Sequence, residues 1–428
     1  MTEVLGTTLP EGWTASRLKR VTSLLNRGSA PDYVDHGPVR AISQAANQPG
    51  GFDWARTRFH NAIGEPRKLK GYLVPEDILI NSTGTGTLGR IGFFQGAPEG
   101  IPCMADTHVT VARVIPSEVG PRFLYYWLSS IPFQEYIYAA LVVGATNQIE
   151  LNRDRLGDAP VPLPPAEEQR RISSFLDAEV ALIDDVVSAR LTQLAILDRR
   201  LSAIRDALVE EYAERFSLVP LRRFTARIEQ GASPQCDNSP AGADEWAVLK
   251  LSSVKRGMFA AEENKRLPEL GNIAHQNEVK PGDFLVTRAN TPDLVGDVAV
   301  VRETPARRLL PDLIYRVLLD PTLDADYVAE VALSGRIRAL VKADARGSSQ
   351  SMVKLRGEDI KNWPIPVACM TAQKQLVATM SDAARSTEQL KSTIRRQIDL
   401  LIDRRRALIT AAVTGQIDVT TARGVRVP

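Results

Sequence analysis

The chain has 428 residues, 44% hydrophobic and 24% charged, with a formal net charge of +2 and a pI near 8.4. These values predict about two to four domains with ordinary cores and exclude a mainly disordered chain. The near-neutral balance neither demands nor excludes a polyanionic partner, because binding responds to local potential rather than to the sum.

Residues 1–160 read as a mixed globular domain. Short β-like runs, "DILI" and "RIGFF", sit between Gly, Pro and Asn punctuation. "HVTVARVI" alternates and is Val-rich, so it reads as a strand, with His108 packed inside it. "PRFLYYWLSS" opens with Pro and carries apolar residues at helical spacing, so it reads as a short helix. Pro160, Pro162, Pro164 and Pro165 then predict a stiff extended hinge. From Ala166 to about Glu214 there is no Pro or Gly, and Ile172, Leu176, Ile183, Val187, Leu191, Leu194, Leu197, Leu201, Ile204 and Leu208 form a stripe spaced mostly by threes and fours. That pattern predicts one long amphipathic helix, so residues 161–214 are hinge and spacer helix.

Residues 215–363 read as a second globular domain with strand candidates "AVLKLSSV", "GDFLV", "GDVAVV" and "LIYRVLL" and a helix at "DADYVAEVALSG". Residues 364–428 repeat the scheme: a hinge at Pro364 and Pro366, a long helix over about Thr371 to Thr414 and a terminal tail, with Gly415 placed as the helix cap. Each long helix has an apolar seam that needs a partner. Pairing the two antiparallel is the simplest solution, with Leu191, Leu194, Leu201, Leu390, Ile394 and Leu401 as the expected mutual core.

The two halves repeat each other about 204 residues apart, a period that makes each repeat domain-sized. "LLNRGSAP" returns as "RIEQGASP", "VPEDILI" as "KPGDFLV", "GATNQIEL" as "GSSQSMVKL", and "LDRRLSAI" as "IDRRRALI". The fold class this predicts is α+β: two pseudo-symmetric domains joined by two long antiparallel coiled-coil helices.

No catalytic constellation emerges. "GTGTLG" at Gly84 to Gly89 fits G-x-G-x-x-G, but strand-and-turn residues follow where a dinucleotide site needs a helix N-terminus. The matching segment "TRANTPDLVG" keeps only the last glycine. The turns instead offer hydroxyl, amide and guanidinium groups suited to base edges or phosphates: Ser82, Thr83, Thr85, Thr87 and Arg90 in the first, Thr287, Arg288 and Asn290 in the second. An ordinary solvated hairpin accounts for them equally well. Asn147 and Gln148, with Ser348 and Gln350 in the second copy, recur just before each hinge and are the other candidate DNA contacts. The histidines have no metal-binding spacing, and Cys103, Cys236 and Cys369 form no C-x-x-C pair, so neither metal nor disulfide is expected. The N-terminus "MTEVLGTTLPEGW" lacks the build of a signal peptide and no apolar run reaches membrane-span length, so a cytoplasmic location is expected.

This layout resembles the DNA-specificity subunit of type I restriction–modification enzymes. The resemblance rests on "PLPPAEEQRRISSFLDAEVALID", on "LIDRRRALITAAVTGQIDV", and on the strands "EDILINS" and "GDFLVTR". "PIPVACMTAQKQL" departs from it, lacking the Pro-Pro and Glu-Gln of the usual second hinge. The family implies a non-catalytic chain with two target-recognition domains, each reading half of a bipartite site on double-stranded DNA. It implies helices that set the spacer and dock two methyltransferase subunits, with restriction/translocase subunits added for cleavage. No cofactor is expected in this chain; S-adenosylmethionine, ATP and Mg2+ belong to the partner subunits. Two alternatives remain: a coiled-coil scaffold that binds only proteins, and an enzyme using Gly84 to Gly89 for a cofactor.

Overall fold

The structure is a computed structural model that describes residues 2–84, 86–143, 149–242, 244–268, 277–349 and 352–419. The chain has mixed α and β content in two compact units. The first comprises Met1–Leu191 with Arg395–Pro428, the second Thr192–Ile394.

In the first unit a four-stranded antiparallel sheet runs in the order Ile91–Phe93, Ile78–Asn81, Val109–Val114, Thr22–Arg27. Ile78, Leu79 and Ile80 are all buried, so both faces of the central strand are covered. One face carries the helix Pro121–Ser129, whose Phe123, Leu124 and Trp127 are fully buried. The other packs against a second sheet in which Cys103–Ala105 runs parallel to Val39–Ile42.

The second unit repeats the plan. Val298–Val300, Phe284–Thr287, Ile314–Leu319 and Thr225–Gln230 form its four-stranded sheet in the equivalent order. Arg308–Leu309 runs parallel to Ala247–Leu249 as the counterpart of the second sheet. The helix Ala325–Ala332 buries Tyr327, Val328 and Val331.

Paired residues of the repeat do the same work in both units. Asp77 accepts the Val74 N–H and takes both Nε and Nη2 of Arg113 at 2.8 and 2.7 Å. Asp283 accepts the Lys280 N–H and pairs with Arg316 at 3.1 Å. The Asp77 side chain is fully buried, and its hydrogen bonds push the Arg113 pKa up. Asp77→Ala leaves the Val74 N–H and the Arg113 guanidinium, itself 33% exposed, without their acceptor. It is expected to destabilise the protein by about 2–3 kcal/mol, measured by urea denaturation, whereas loss of the exposed Lys68–Glu65 pair should cost at most about 1 kcal/mol.

The prolines do not form a free hinge. Pro160–Leu163 pairs antiparallel with Thr14–Arg17, and Pro364–Pro366 with Leu218–Pro220. The extended backbone that proline imposes is used here in two-stranded ribbons, where missing N–H groups are tolerated. Each ribbon leads into a long helix, Ala166–Arg215 and Met370–Val413. At each start a buried glutamine locks helix to unit. Gln169 accepts from Gly120 N at 2.7 Å and donates to Pro164 O, while Gln373 accepts from Asp324 N at 2.8 Å and donates to Ala368 O. The second hinge thus keeps the glutamine, although its Pro-Pro and Glu are gone. Gly415, at φ +71°, ends the second helix with its N–H on Ala412 O.

Within each unit, segments of the two helices lie together. In the second unit Lys391 pairs with Asp198 at 2.7 Å and Tyr212 Oη donates to Ala372 O, so the segments there run antiparallel. In the first, Arg405 meets Asp184 at 3.0 Å, and Ile172, Leu176 and Val180 share a core with Ile409, Ala412 and Val413. Leu191 and Leu390 do not belong to the expected seam, being 54% and 51% exposed. Leu194, Leu201, Ile394 and Leu401 are half-buried. Most of the buried apolar positions lie toward the ends of the helices, where a globular domain covers them; Ile398, buried well inside the second helix, is an exception.

Candidate nucleic-acid interface

In the first unit, five strand termini converge: the ends of Thr22–Arg27, Val39–Ile42, Ile78–Asn81 and Cys103–Ala105, and the start of Val109–Val114. The loops leaving them carry most of the candidate polar groups. Gly28 N donates to Val109 O, Ser82 N to His108 O, and Asp106 N to Ile42 O, which ties the loops into one surface.

Thr83 sits at its centre. Its hydroxyl donates to Gln44 Oε1 at 3.1 Å and lies 2.8 Å from His108 Nδ1, while its backbone bridges to Glu150. Thr87 Oγ1 also reaches Gln44 Oε1, at 3.5 Å. Arg90 donates to Asn47 O at 2.9 Å and to Gln48 Oε1 at 3.1 Å. Beneath this layer Asn47 and Asn81 are fully buried and joined by Asn47 Nδ2 to Asn81 Oδ1 at 3.0 Å. Burial pushes the Asp106 carboxyl up, while a hydrogen bond from the His108 N–H opposes that shift.

Basic side chains flank the cluster. Arg27 pairs with Glu150 at 3.0 Å, and Arg153 donates to Asn26 Oδ1 at 3.1 Å. Lys70 is exposed and, among the described residues, has no carboxylate partner. With Asn26, Arg27 and Arg153 it lines a concavity of about 320 Å³. A second hollow of about 760 Å³ adjoins the turn at Gly89 and Arg90, but Arg90 and Arg405 in its wall are engaged by Asn47 and Asp184. Among the described residues no His, Cys, Asp and Glu side chains group as metal ligands would.

The second unit builds the same surface with different groups. Gln230 Nε2 and Arg288 Nη1 both donate to Asp312 O, Ser233 bonds to the Asp312 carboxylate, and Arg288 Nε donates to Tyr315 Oη at 3.1 Å. Asn290 caps its own turn by accepting the Thr291 N–H. The turn after the central strand also pairs with the segment before the helix in both units: Thr83 bridges to Glu150, and Ala289 and Asn290 pair with Lys354 and Val353. Two motifs far apart in the chain thus form one surface.

Several expectations change. Ser82 and Thr287 are fully buried and leave the set of candidate contacts. The Ser82 hydroxyl lies 2.5 Å from Thr110 Oγ1, and Thr287 Oγ1 donates to Leu294 O. His108 is exposed in the turn before its strand rather than packed within it. The segment after "GTGTLG" is the strand Ile91–Phe93, so no helix N-terminus stands there to hold a pyrophosphate. Thr85, Asn147, Gln148 and Gln350 lie outside the described residues, as does the side chain of Ser348, whose backbone belongs to the strand Arg346–Ser349. Gln44, Gln48 and Arg27 were missed, because no linear spacing ties Gln44 to Thr83 across 39 residues.

Residues 10–194 match the family described as the type I restriction modification DNA specificity domain. The EcoEI specificity subunit of Escherichia coli is 23% identical over 90% of this chain and 80% of its own length. The EcoKI specificity subunit of Escherichia coli K12 is 21% identical over 96% and 90%. A solved chain, from a study of complex assembly and conformational transition of the type I R-M system, superposes with a TM-score of 0.64 at 16% identity, over 96% of this chain and all of that one, a likeness of fold. Residues 10–194 thus match a type I restriction modification DNA specificity domain, and over nearly its whole length the chain is similar to the specificity subunits of type I restriction enzymes.

Proposed function

We propose that this chain is the sequence-reading subunit of a type I restriction–modification assembly, and that each unit reads one half of a bipartite site on double-stranded DNA. One observation carries the reading: the same loop surface is built twice on the same strand order, with Gln44, Thr83, Arg90 and His108 in one unit and Gln230, Ser233, Arg288 and Asn290 in the other. A conserved frame bearing different donors and acceptors suits two different base sequences, because bases are told apart by the pattern of groups on their groove edges. Lys70 and Arg153 beside the cluster suit the phosphates that position a protein on the duplex.

The finer arrangement is part of the proposal. Residues 1–160 and 215–363 act as target-recognition domains, and 161–214 and 364–428 as spacer helices paired antiparallel. The ion pairs Lys391–Asp198 and Arg405–Asp184 support that pairing. The helices would dock two methyltransferase subunits, with restriction/translocase subunits joining them. S-adenosylmethionine, ATP and Mg2+ would be used by those partners, with this chain non-catalytic.

The test exchanges residues 10–158 for the equivalent domain of another specificity subunit, in cells that supply the partner subunits, and maps methylated bases across the genome. One half of the methylated sequence is expected to change completely and the other to stay. A change in both halves, or in neither, counts against modular reading.

A further inference from the structure

We propose that Gln44 is a base-reading side chain of the first unit, and that it reads as a donor. The inference rests on the DNA-reading function proposed above and assigns a residue and a polarity within it. Gln44 follows the strand Val39–Ile42 and is half-buried at the convergence of loops. Its Oε1 accepts from the Thr83 hydroxyl at 3.1 Å, and the Thr87 hydroxyl lies 3.5 Å from it and 3.3 Å from Thr83 O. The bond from Thr83 turns the oxygen end of the amide toward the two threonines. With the Thr83 proton on Gln44, His108 Nδ1, 2.8 Å from Thr83 Oγ1, must be the protonated ring nitrogen and donate to that hydroxyl. Among the described residues, Gln44 Nε2 donates to nothing, so its two protons remain available.

The amide is also held sterically. Gly84 lies against it at φ +96°, and a Cβ there would stand 2.7 Å from Oε1 and 2.9 Å from Nε2. A glycine at this point lets the turn close onto the glutamine and removes its rotational freedom. A side chain held this way meets a partner without the usual entropy loss. An outward NH2 fits major-groove acceptors, namely purine N7, guanine O6 or thymine O4, and rejects the cytosine amine, itself a donor. Thr83 and Thr87 are positioning residues that set which end of the amide faces the duplex.

The experiment uses the full chain purified with its own partner subunits, and selects bound sequences from a pool of randomised duplexes. Gln44→Glu keeps the shape and one oxygen for the Thr83 hydroxyl, but turns the outer group into an acceptor. One base position in one half-site should switch its preference to cytosine, with the other half-site unchanged. Gln44→Ala should flatten preference at that same position by about tenfold or more. Thr83→Val with Thr87→Val should blur preference at that same position and leave the preference of the other half-site as it is. Unchanged preference at every position in both Gln44 variants, with melting temperatures equal to wild type, would overturn the assignment. So would a loss spread evenly over both half-sites. If the wild-type complex enriches no sequence at all, the DNA-reading function itself fails, and this inference with it.

Discussion

Gly28→Ala and Gly231→Ala are each expected to destabilise the protein by about 3 kcal/mol or more, near or above the top of the usual range for overpacking. The two glycines end equivalent strands, Thr22–Arg27 and Thr225–Gln230. A Cβ at Gly28 would lie 1.9 Å from Ala105 O and 2.5 Å from Asp106 O, and one at Gly231 would lie 1.7 Å from Leu310 O. These obstacles are backbone carbonyls, which cannot rotate away as a side chain would. They are also hydrogen-bonded neighbours: Ser29 N donates to Ala105 O and Ala232 N to Leu310 O. Relieving the clash would pull apart the loops that hold His108 in one unit and Asp312 in the other, so DNA reading should fail with stability. Gly50→Ala is the control, since a Cβ there meets nothing within 4 Å. Urea denaturation should find it neutral or slightly stabilising. Equal stability of Gly28→Ala and Gly50→Ala would contradict the steric reading.

The second large effect separates buried from exposed leucines along the helices. Ile172 and Leu176 in the first helix are 1% and 0% exposed, as are Leu376 and Met380, at 1% each, in the second. Alanine at any of the four should cost about 2–5 kcal/mol through lost burial and the cavity left behind. Leu191→Ala and Leu390→Ala should instead change stability by about 0.5 kcal/mol or less, because half of each side chain is already in water and alanine is the better helix former. A polar residue at Leu191 or Leu390 should leave the fold intact as well. Denaturation midpoints for the six variants in parallel would check the division, and a large loss at Leu191 would restore the continuous seam.

The long helices were legible in the chain because helix formation is local. Runs without Pro or Gly and apolar residues at spacings of three and four predicted them, and Ala166–Arg215 and Met370–Val413 lie within a few residues of those runs. The duplication was equally plain as matched words. Why the words match was not. Gly28 and Gly231 recur because a carbonyl from another strand sits where a side chain would go, Asp77 and Asp283 because an arginine from another strand needs a carboxylate, and Gln169 and Gln373 because each ties a helix start to its own domain. Those partners lie tens of residues away, and periodicity carries no information about them. The extended prolines were legible, but their pairing with Thr14–Arg17 and Leu218–Pro220 was not. The interface depended on tertiary structure most of all. A serine reads the same in a sequence whether it meets solvent or, like Ser82, lies buried 2.5 Å from Thr110; and Gln44, Thr83 and His108 become neighbours only because the strands that carry them end at the same place.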